Sequence, residues 1–124
     1  MAFAGQQQEV ATWLAALDVF VLPSYANEGV PQALMQAMSC AIPCVTTSAG
    51  AIPEIARDRD TAYVVPPEDP LALAATIDDV LDHPDAAAST AERARAFVLA
   101  RYGLAPMLDR MEAAFRRALE GARR

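Results

Sequence analysis

The stretch of residues 18–45 constrains the fold of this chain more than any other feature of the sequence. An apolar run, residues 19–22, stops at Pro23 and is followed by a polar loop. Pro31 then opens a helical pattern, and a second strand-like run begins at Cys44. Continuous apolar runs bounded by proline are typical of strands that are buried in a parallel sheet. The stretch therefore predicts a strand, a loop, a helix and a second strand.

The rest of the chain continues this alternation of helices and strands. Proline and glycine positions predict helices over residues 6–17, 31–41, 53–56, 70–82 and 84–102, a last helix from Leu104, and strands over 19–22, 44–47 and 61–65. Such an order favours an α/β, Rossmann-like fold in three layers, with a parallel sheet and right-handed crossovers. The sheet is predicted to be truncated, with three strands, or four if the residues before Gly5 add one.

Apolar residues spaced three and four apart mark the inner faces of the helices. We expect these faces to contain Val10, Trp13, Leu14 and Leu17 in the first helix, Leu34, Met38 and Ala41 in the helix after Pro31, and Leu104, Leu108, Met111, Phe115 and Leu119 in the last. The aromatic residues Trp13, Phe97 and Phe115 are accordingly predicted to be core residues.

A sheet of three parallel strands leaves one edge open beside residues 18–22. Exposed apolar edges pair with other strands. We therefore expect either that the chain is part of a larger domain or that it self-associates through this edge.

The acidic charge of the chain excludes several classes of partner. The sequence has 10 basic residues, all of them Arg, and 16 acidic residues, which give a formal net charge of −6. Nucleic acids and anionic lipid surfaces attract basic faces, so we expect no nucleic-acid partner. A helix N-terminus can still hold a small anionic ligand.

The cysteine and histidine content restricts the chemistry. Cys40 and Cys44 lie on either side of Pro43, at a predicted helix end and a predicted strand start, so we expect two buried, reduced thiols and a cytoplasmic location. Peripheral attachment at the inner membrane stays open for the intact protein. With His83 as the single histidine, the sequence offers no metal-ligand cluster, and we expect no metal and no cofactor.

Several short motifs occur in an order that is far more specific than any one of them. The sequence carries, in turn, Pro23-Ser24, Glu28-Gly29, Ala41-Ile42-Pro43, Gly50-Ala51-Ile52-Pro53-Glu54 and Tyr63-Val64-Val65-Pro66-Pro67. This series resembles the nucleotide-sugar-binding half of the retaining family-4 glycosyltransferases, a group 1 glycosyl transferase type with the GT-B fold. The resemblance covers roughly residues 3–120.

The resemblance implies that Glu28 contacts the hydroxyls of the donor sugar and is the candidate catalytic residue. The backbone amides of Gly29, Val30 and Gln32 would face the diphosphate. The chemistry is reasonable without the family, because a helix N-terminus favours negative charge and a carboxylate accepts hydrogen bonds from sugar hydroxyls. The open alternative is that Glu28 only stabilises the start of a helix.

Gln36 departs from the family pattern, which has Glu at this position to bind the ribose of the nucleotide. An amide still accepts a hydrogen bond but loses about 1 kcal/mol of charge-assisted strength. A solvated helix residue is the alternative for Gln36. Ser24, Gly50 and Glu54 complete the predicted donor-binding set, although Glu54 could equally favour only the N-terminus of its own helix. Ala41 stands where the family usually has Gly, a difference that we expect to be minor.

The resemblance implies transfer of a hexosyl group, with retention and without a metal, from a nucleoside-diphosphate sugar to an acceptor hydroxyl. Residues 1–120 would be part of the donor-binding domain, and residues 121–124 a frayed tail. The N-terminal acceptor domain and the basic residues that hold the diphosphate would be missing, so we do not expect the isolated chain to be a competent catalyst. The alternative is a non-catalytic, stand-alone Rossmann-like module for assembly or weak nucleotide binding.

Overall fold

Three short parallel strands form the centre of the structure, a computed structural model that describes residues 1–122. In chain order the elements are α1 (Val10–Leu14), β1 (Phe20–Leu22), α2 (Gln32–Ser39), β2 (Cys44–Thr47), a short 3₁₀ helix (Ile52–Glu54), β3 (Tyr63–Val65), α3 (Pro70–Asp82), α4 (Pro84–Tyr102) and α5 (Leu104–Ala122). The predicted order of helices and strands is confirmed. No helix within residues 1–122 is both long and apolar enough to cross a membrane.

The strands are arranged in the order β1-β2-β3, and both pairs are parallel. Leu22 is opposite Thr46, and Thr47 is opposite Val65. This register aligns the carboxyl ends of the strands at one edge, which is where open parallel sheets bind their ligands. The predicted α/β parallel architecture is therefore confirmed.

Helices cover both faces of the sheet. On one face the side chains of α2 pack with the 3₁₀ helix and the C-terminal half of α4, in a core that contains Leu34, Met38, Ile52 and Val98. On the other face α3 packs against β2 and β3 through Val80, Val45 and Tyr63. The two cores give the predicted three layers.

Strand β1 is one edge of the described sheet, as the sequence predicts. Its three apolar residues are only half-buried, whereas all four residues of β2 are buried. The third strand is shorter than the predicted range 61–65, because the hydroxyl of Thr61 accepts from the Arg57 N–H at 3.0 Å and donates to the Ile55 carbonyl at 2.8 Å. Thr61 therefore belongs to the preceding loop.

The prediction for the first helix was wrong in length and in burial. Only Val10–Leu14 is helical, and Leu14 is the one buried residue of the predicted inner face. Trp13 is 49% exposed and so is not a core residue. A five-residue helix has few internal hydrogen bonds, and Leu14 is the residue of α1 that is buried in the core.

The apolar stripe of α5 is exposed, which corrects the prediction that it faces the core. The exposed residues are Leu104, Met107, Leu108, Met111, Phe115 and Leu119. Phe97 of α4, in contrast, packs against the core as predicted. Helix α5 continues through Gly121 to Ala122, and residues 123 and 124 of the predicted tail lie outside the described residues.

Both cysteines are free thiols, as predicted. Cys44 is buried in β2, and its thiol donates to the Ile42 carbonyl at 3.1 Å. Burial raises the pKa of the Cys44 thiol to about 12, so this group stays protonated at neutral pH. The predicted burial was wrong for Cys40, which follows the last residue of α2 and is only half-buried.

Helix α2 ends in a Schellman motif that contains an alanine in the left-handed conformation. The Ala41 N–H donates to the Met38 carbonyl at 3.0 Å, and the Ile42 N–H donates to the Ala37 carbonyl at 3.2 Å. Ala41 has φ +56°, which an L side chain adopts only at a cost in free energy. Ala41 therefore does not belong to the helix or to its inner face, in contrast to the prediction, and it occupies the position at which glycine is favoured.

We expect Ala41→Gly to raise the free energy of unfolding by about 0.5–1 kcal/mol, because glycine adopts a positive φ without strain. The matched control is Ala33→Gly, at an exposed position inside α2. This replacement should lower the free energy of unfolding by about 1 kcal/mol. Urea unfolding of the two variants measures both values. Destabilisation of similar size by both replacements would contradict the left-handed conformation of Ala41.

Candidate functional site

The side chain of Glu28 is held at the carboxyl edge of the sheet. Glu28 lies in the loop between β1 and α2, and the Ser24 hydroxyl donates to its Oε2 atom at 2.6 Å. Both side chains are half-buried. Among residues 1–122 the other carboxylate oxygen, Oε1, accepts no hydrogen bond, so it is available to a ligand hydroxyl.

Gly50 fits directly against the backbone of Glu28. Its φ is +54°, and a Cβ atom at this position would lie 2.0 Å from the Glu28 carbonyl oxygen. The next residue, Ala51, donates its N–H to the same oxygen at 2.9 Å. The turn after β2 therefore fixes the backbone of Glu28, and only glycine leaves room for this approach.

Backbone amides near the start of α2 are available to an anion. Met35 donates its N–H to the Pro31 carbonyl at 3.1 Å, and it is the first residue of α2 to complete such a bond. Within the described part of the chain, the N–H groups of Gly29, Val30 and Gln32 make no hydrogen bond. Free N–H groups at the positive end of a helix suit a phosphate group.

Three of the predicted residues have side chains that are not joined to Glu28. Gln32 and Gln36 have exposed side chains that line a groove of about 270 Å³ between α2 and the end of α4, which includes Tyr102. Glu54 is exposed in the 3₁₀ helix. No side-chain hydrogen bond among residues 1–122 joins any of the three to Glu28, whereas Ser24, Glu28 and Gly50 form one contact cluster.

Thr47 was not among the predicted site residues, although it supports the Glu28 loop. Thr47 is 3% exposed, and its hydroxyl donates to the Ser24 carbonyl. Its neighbour Thr46, also buried, donates to the Leu22 carbonyl at 3.0 Å. The sequence signal for such a role is the pair of threonines at the end of an apolar strand. Hydroxyl groups that are buried there need hydrogen-bond partners.

Within the described residues, no basic side chain forms an ion pair with Glu28. Among residues 1–122, the arginines that form ion pairs do so with Asp60, Asp79 or Glu112, and none pairs with Glu28. The same residues contain no group of three or more His, Cys, Asp or Glu side chains that could hold a metal ion.

A cavity of about 300 Å³ lies beside the Ser24 loop at the same edge of the sheet. It is lined by Pro23, Tyr25, Thr47, Val65, Pro66, Glu68, Asp69, Pro70 and Leu73. Glu28 is not among the residues that line this cavity.

We expect Gly50→Ala to lower the free energy of unfolding by about 2 kcal/mol or more, because the added Cβ meets the Glu28 carbonyl and also requires a positive φ. The control is Gly29→Ala, where a Cβ atom meets no other atom within 4 Å; its effect on stability should stay within about 0.5 kcal/mol. Thermal and urea unfolding measure both changes. Equal stabilities of the two variants would contradict the close approach of Gly50 to Glu28.

Comparison with known proteins identifies a matching family model and similar curated sequences. A family model described as glycosyl transferases group 1 matches residues 1–83. The chain is 33% identical over 100 residues to the N-acetyl-alpha-D-glucosaminyl L-malate synthase of Bacillus anthracis, which covers 81% of the chain and 26% of that relative. The chain spans only 18% to 26% of the length of three curated relatives that it matches.

Solved structures show the same fold. A sucrose-phosphate synthase from Thermosynechococcus elongatus matches 97% of the chain and 30% of its own length, with a TM-score of 0.90 and 26% identity. The HepE protein of Anabaena, crystallised in complex with UDP-glucose, matches 89% of the chain and 30% of its own length, with a TM-score of 0.85 and 21% identity. The predicted GT-B type of the fold is confirmed.

Proposed function

The chain belongs to the group 1 glycosyl transferase family, and we propose that it is the donor-binding portion of an enzyme that transfers a sugar from a nucleoside-diphosphate sugar to an acceptor hydroxyl. The observation that carries the proposal is the Glu28 carboxylate, which accepts a hydrogen bond from Ser24 at 2.6 Å and lies in the loop whose unbonded amides lead into the start of α2. The complex of HepE with UDP-glucose supports a nucleotide sugar as the ligand class.

Each part of this site has a role toward the donor. The free carboxylate oxygen of Glu28 accepts a hydrogen bond from a hydroxyl of the sugar. The N–H groups of Gly29, Val30 and Gln32 donate to the diphosphate, and Gly29 lets the backbone come close to it. Gln36, one turn further along α2, offers its amide to the ribose.

Transfer of the sugar leaves a nucleoside diphosphate, whose negative charge must be stabilised as the bond to the sugar breaks. The amides of the Glu28 loop supply part of this stabilisation. In the whole protein, we propose that basic side chains outside this chain supply the rest and that a further domain presents the acceptor. We further propose that the transfer proceeds with retention, as in the family that the sequence resembles.

Titration of the 124-residue chain with UDP-glucose tests the donor site. We expect saturable changes in the amide resonances of residues 29–36 and 50–54. Glu28→Ala should weaken binding about tenfold or more, because a hydrogen bond to a charged group is lost. The matched control is Glu92→Ala, on the exposed face of α4, which should bind like the wild type. Resonance changes confined to other residues, or equal affinities of the two variants, would overturn the proposal.

Gln36→Glu tests the ribose contact separately. A carboxylate restores the charge-assisted hydrogen bond, so we expect UDP-glucose to bind several-fold more tightly, which corresponds to about 1 kcal/mol. Gln32→Glu introduces the same charge one turn earlier, beside the amides proposed for the diphosphate, and it should give no gain. A loss of affinity in the Gln36→Glu variant would remove Gln36 from the site.

A second candidate function is nucleotide binding without sugar transfer. It is favoured by the amide at position 36 and by the absence, among residues 1–122, of an arginine paired near Glu28. In that case UDP and UDP-glucose would bind with equal affinity, and Glu28→Ala would have no effect on either ligand.

A further inference from the structure

The hydroxyl of Thr47 is fixed in one orientation by two partners. Thr47 is the last residue of β2 and is almost fully buried. Its Oγ1 atom donates to the Ser24 carbonyl and accepts from the Ala49 N–H at 3.4 Å. Because both the donor and the acceptor function of the hydroxyl are used, its direction is determined by the backbone on either side.

Ser24 lies beyond the end of the paired strands. The last residue pair in the register of β1 with β2 is Leu22 with Thr46, so Ser24 is not part of the ladder of backbone hydrogen bonds. The Thr47 hydroxyl therefore adds one more hydrogen bond between the two segments, beyond the last paired residues of the strands. From Ser24 the network continues through its hydroxyl to the Glu28 carboxylate at 2.6 Å.

We propose that Thr47 is a positioning residue for Glu28, which acts through Ser24 to aim the carboxylate at the donor sugar. This inference rests on the proposed function of Glu28. Thr47 does not contact the ligand; it holds the Ser24 backbone so that the Ser24 hydroxyl points at Oε2.

The end of β2 supports Glu28 in a second way. Ala51 donates to the Glu28 carbonyl at 2.9 Å, and Gly50 allows that approach. The segment from Thr47 to Ala51 thus holds the backbone of Glu28 in position directly, and it orients the Glu28 carboxylate through Ser24. A catalytic or binding group gains precision when a rigid element of the sheet supports it in this manner.

Thr47→Val tests the role of the hydroxyl, because valine has nearly the same shape and cannot donate. We expect UDP-glucose to bind about fivefold or more weakly, with altered amide resonances for Ser24 and Glu28. Thr47→Ser keeps the hydroxyl and should restore both properties. Thr46→Val is the matched control, since it removes an equivalent hydrogen bond, to Leu22, that has no connection to Glu28; it should bind UDP-glucose like the wild type.

A second variant interrupts the same series of hydrogen bonds at the Ser24 hydroxyl. Ser24→Ala removes the bond to the carboxylate without changing β2, so it should weaken binding as Thr47→Val does. The two changes should be non-additive in the double variant, because they interrupt one series of hydrogen bonds. If Thr47→Val does not fold, the affinities of the Ser24→Ala and Thr47→Ser variants for UDP-glucose still test this series of hydrogen bonds.

The outcomes separate this inference from the proposed function. If the wild-type chain does not bind UDP-glucose, the donor site fails, but the resonances of Ser24 and Glu28 in the free chain still report on positioning. Unchanged resonances and unchanged affinity in a folded Thr47→Val variant would overturn the role of Thr47. Equal losses in the Thr46→Val and Thr47→Val variants would also overturn it, since they would indicate a general loss of stability.

Discussion

The parallel pairing of β1 with β2 is the interaction on which the rest of the structure depends. Each strand is only three or four residues long, yet their pairing brings the loop after β1 against the turn after β2. Glu28 comes from the first of these segments and Gly50 from the second, and Thr47 is the last residue of β2. Without the pairing, the carboxylate would have neither its backbone support nor the hydroxyl network that orients it.

Local signals in the sequence were sufficient for much of the fold. Pro23, Pro43 and Gly103 mark the ends of β1, α2 and α4 to within a few residues, because proline and glycine act on the backbone directly. The predicted burial of the apolar faces of α1 and α5 was wrong. Spacing shows that residues share a helix face, but burial requires a neighbouring element, and sequence periodicity contains no information about it.

The candidate site was predicted in part. Ser24, Glu28 and Gly50 were predicted from the resemblance to the glycosyltransferase family, and the structure brings them into contact. Thr47 was missed, because its partner is a backbone carbonyl 23 residues earlier in the chain, and that pairing follows from strand register. The contributions of Gln36 and Glu54 remain predictions, since they depend on where a ligand lies relative to α2.

The exposed apolar stripe of α5 implies that the molecule does not unfold as one cooperative unit. A helix of 19 residues gains most of its stability from packing, and the apolar side chains of α5 lie mainly in water. Its amide protons would exchange with solvent through local fraying, while those of β2, buried on both faces, would exchange only through global unfolding. The chain therefore contains a hierarchy of protection, which is high in β2 and low in the C-terminal helix.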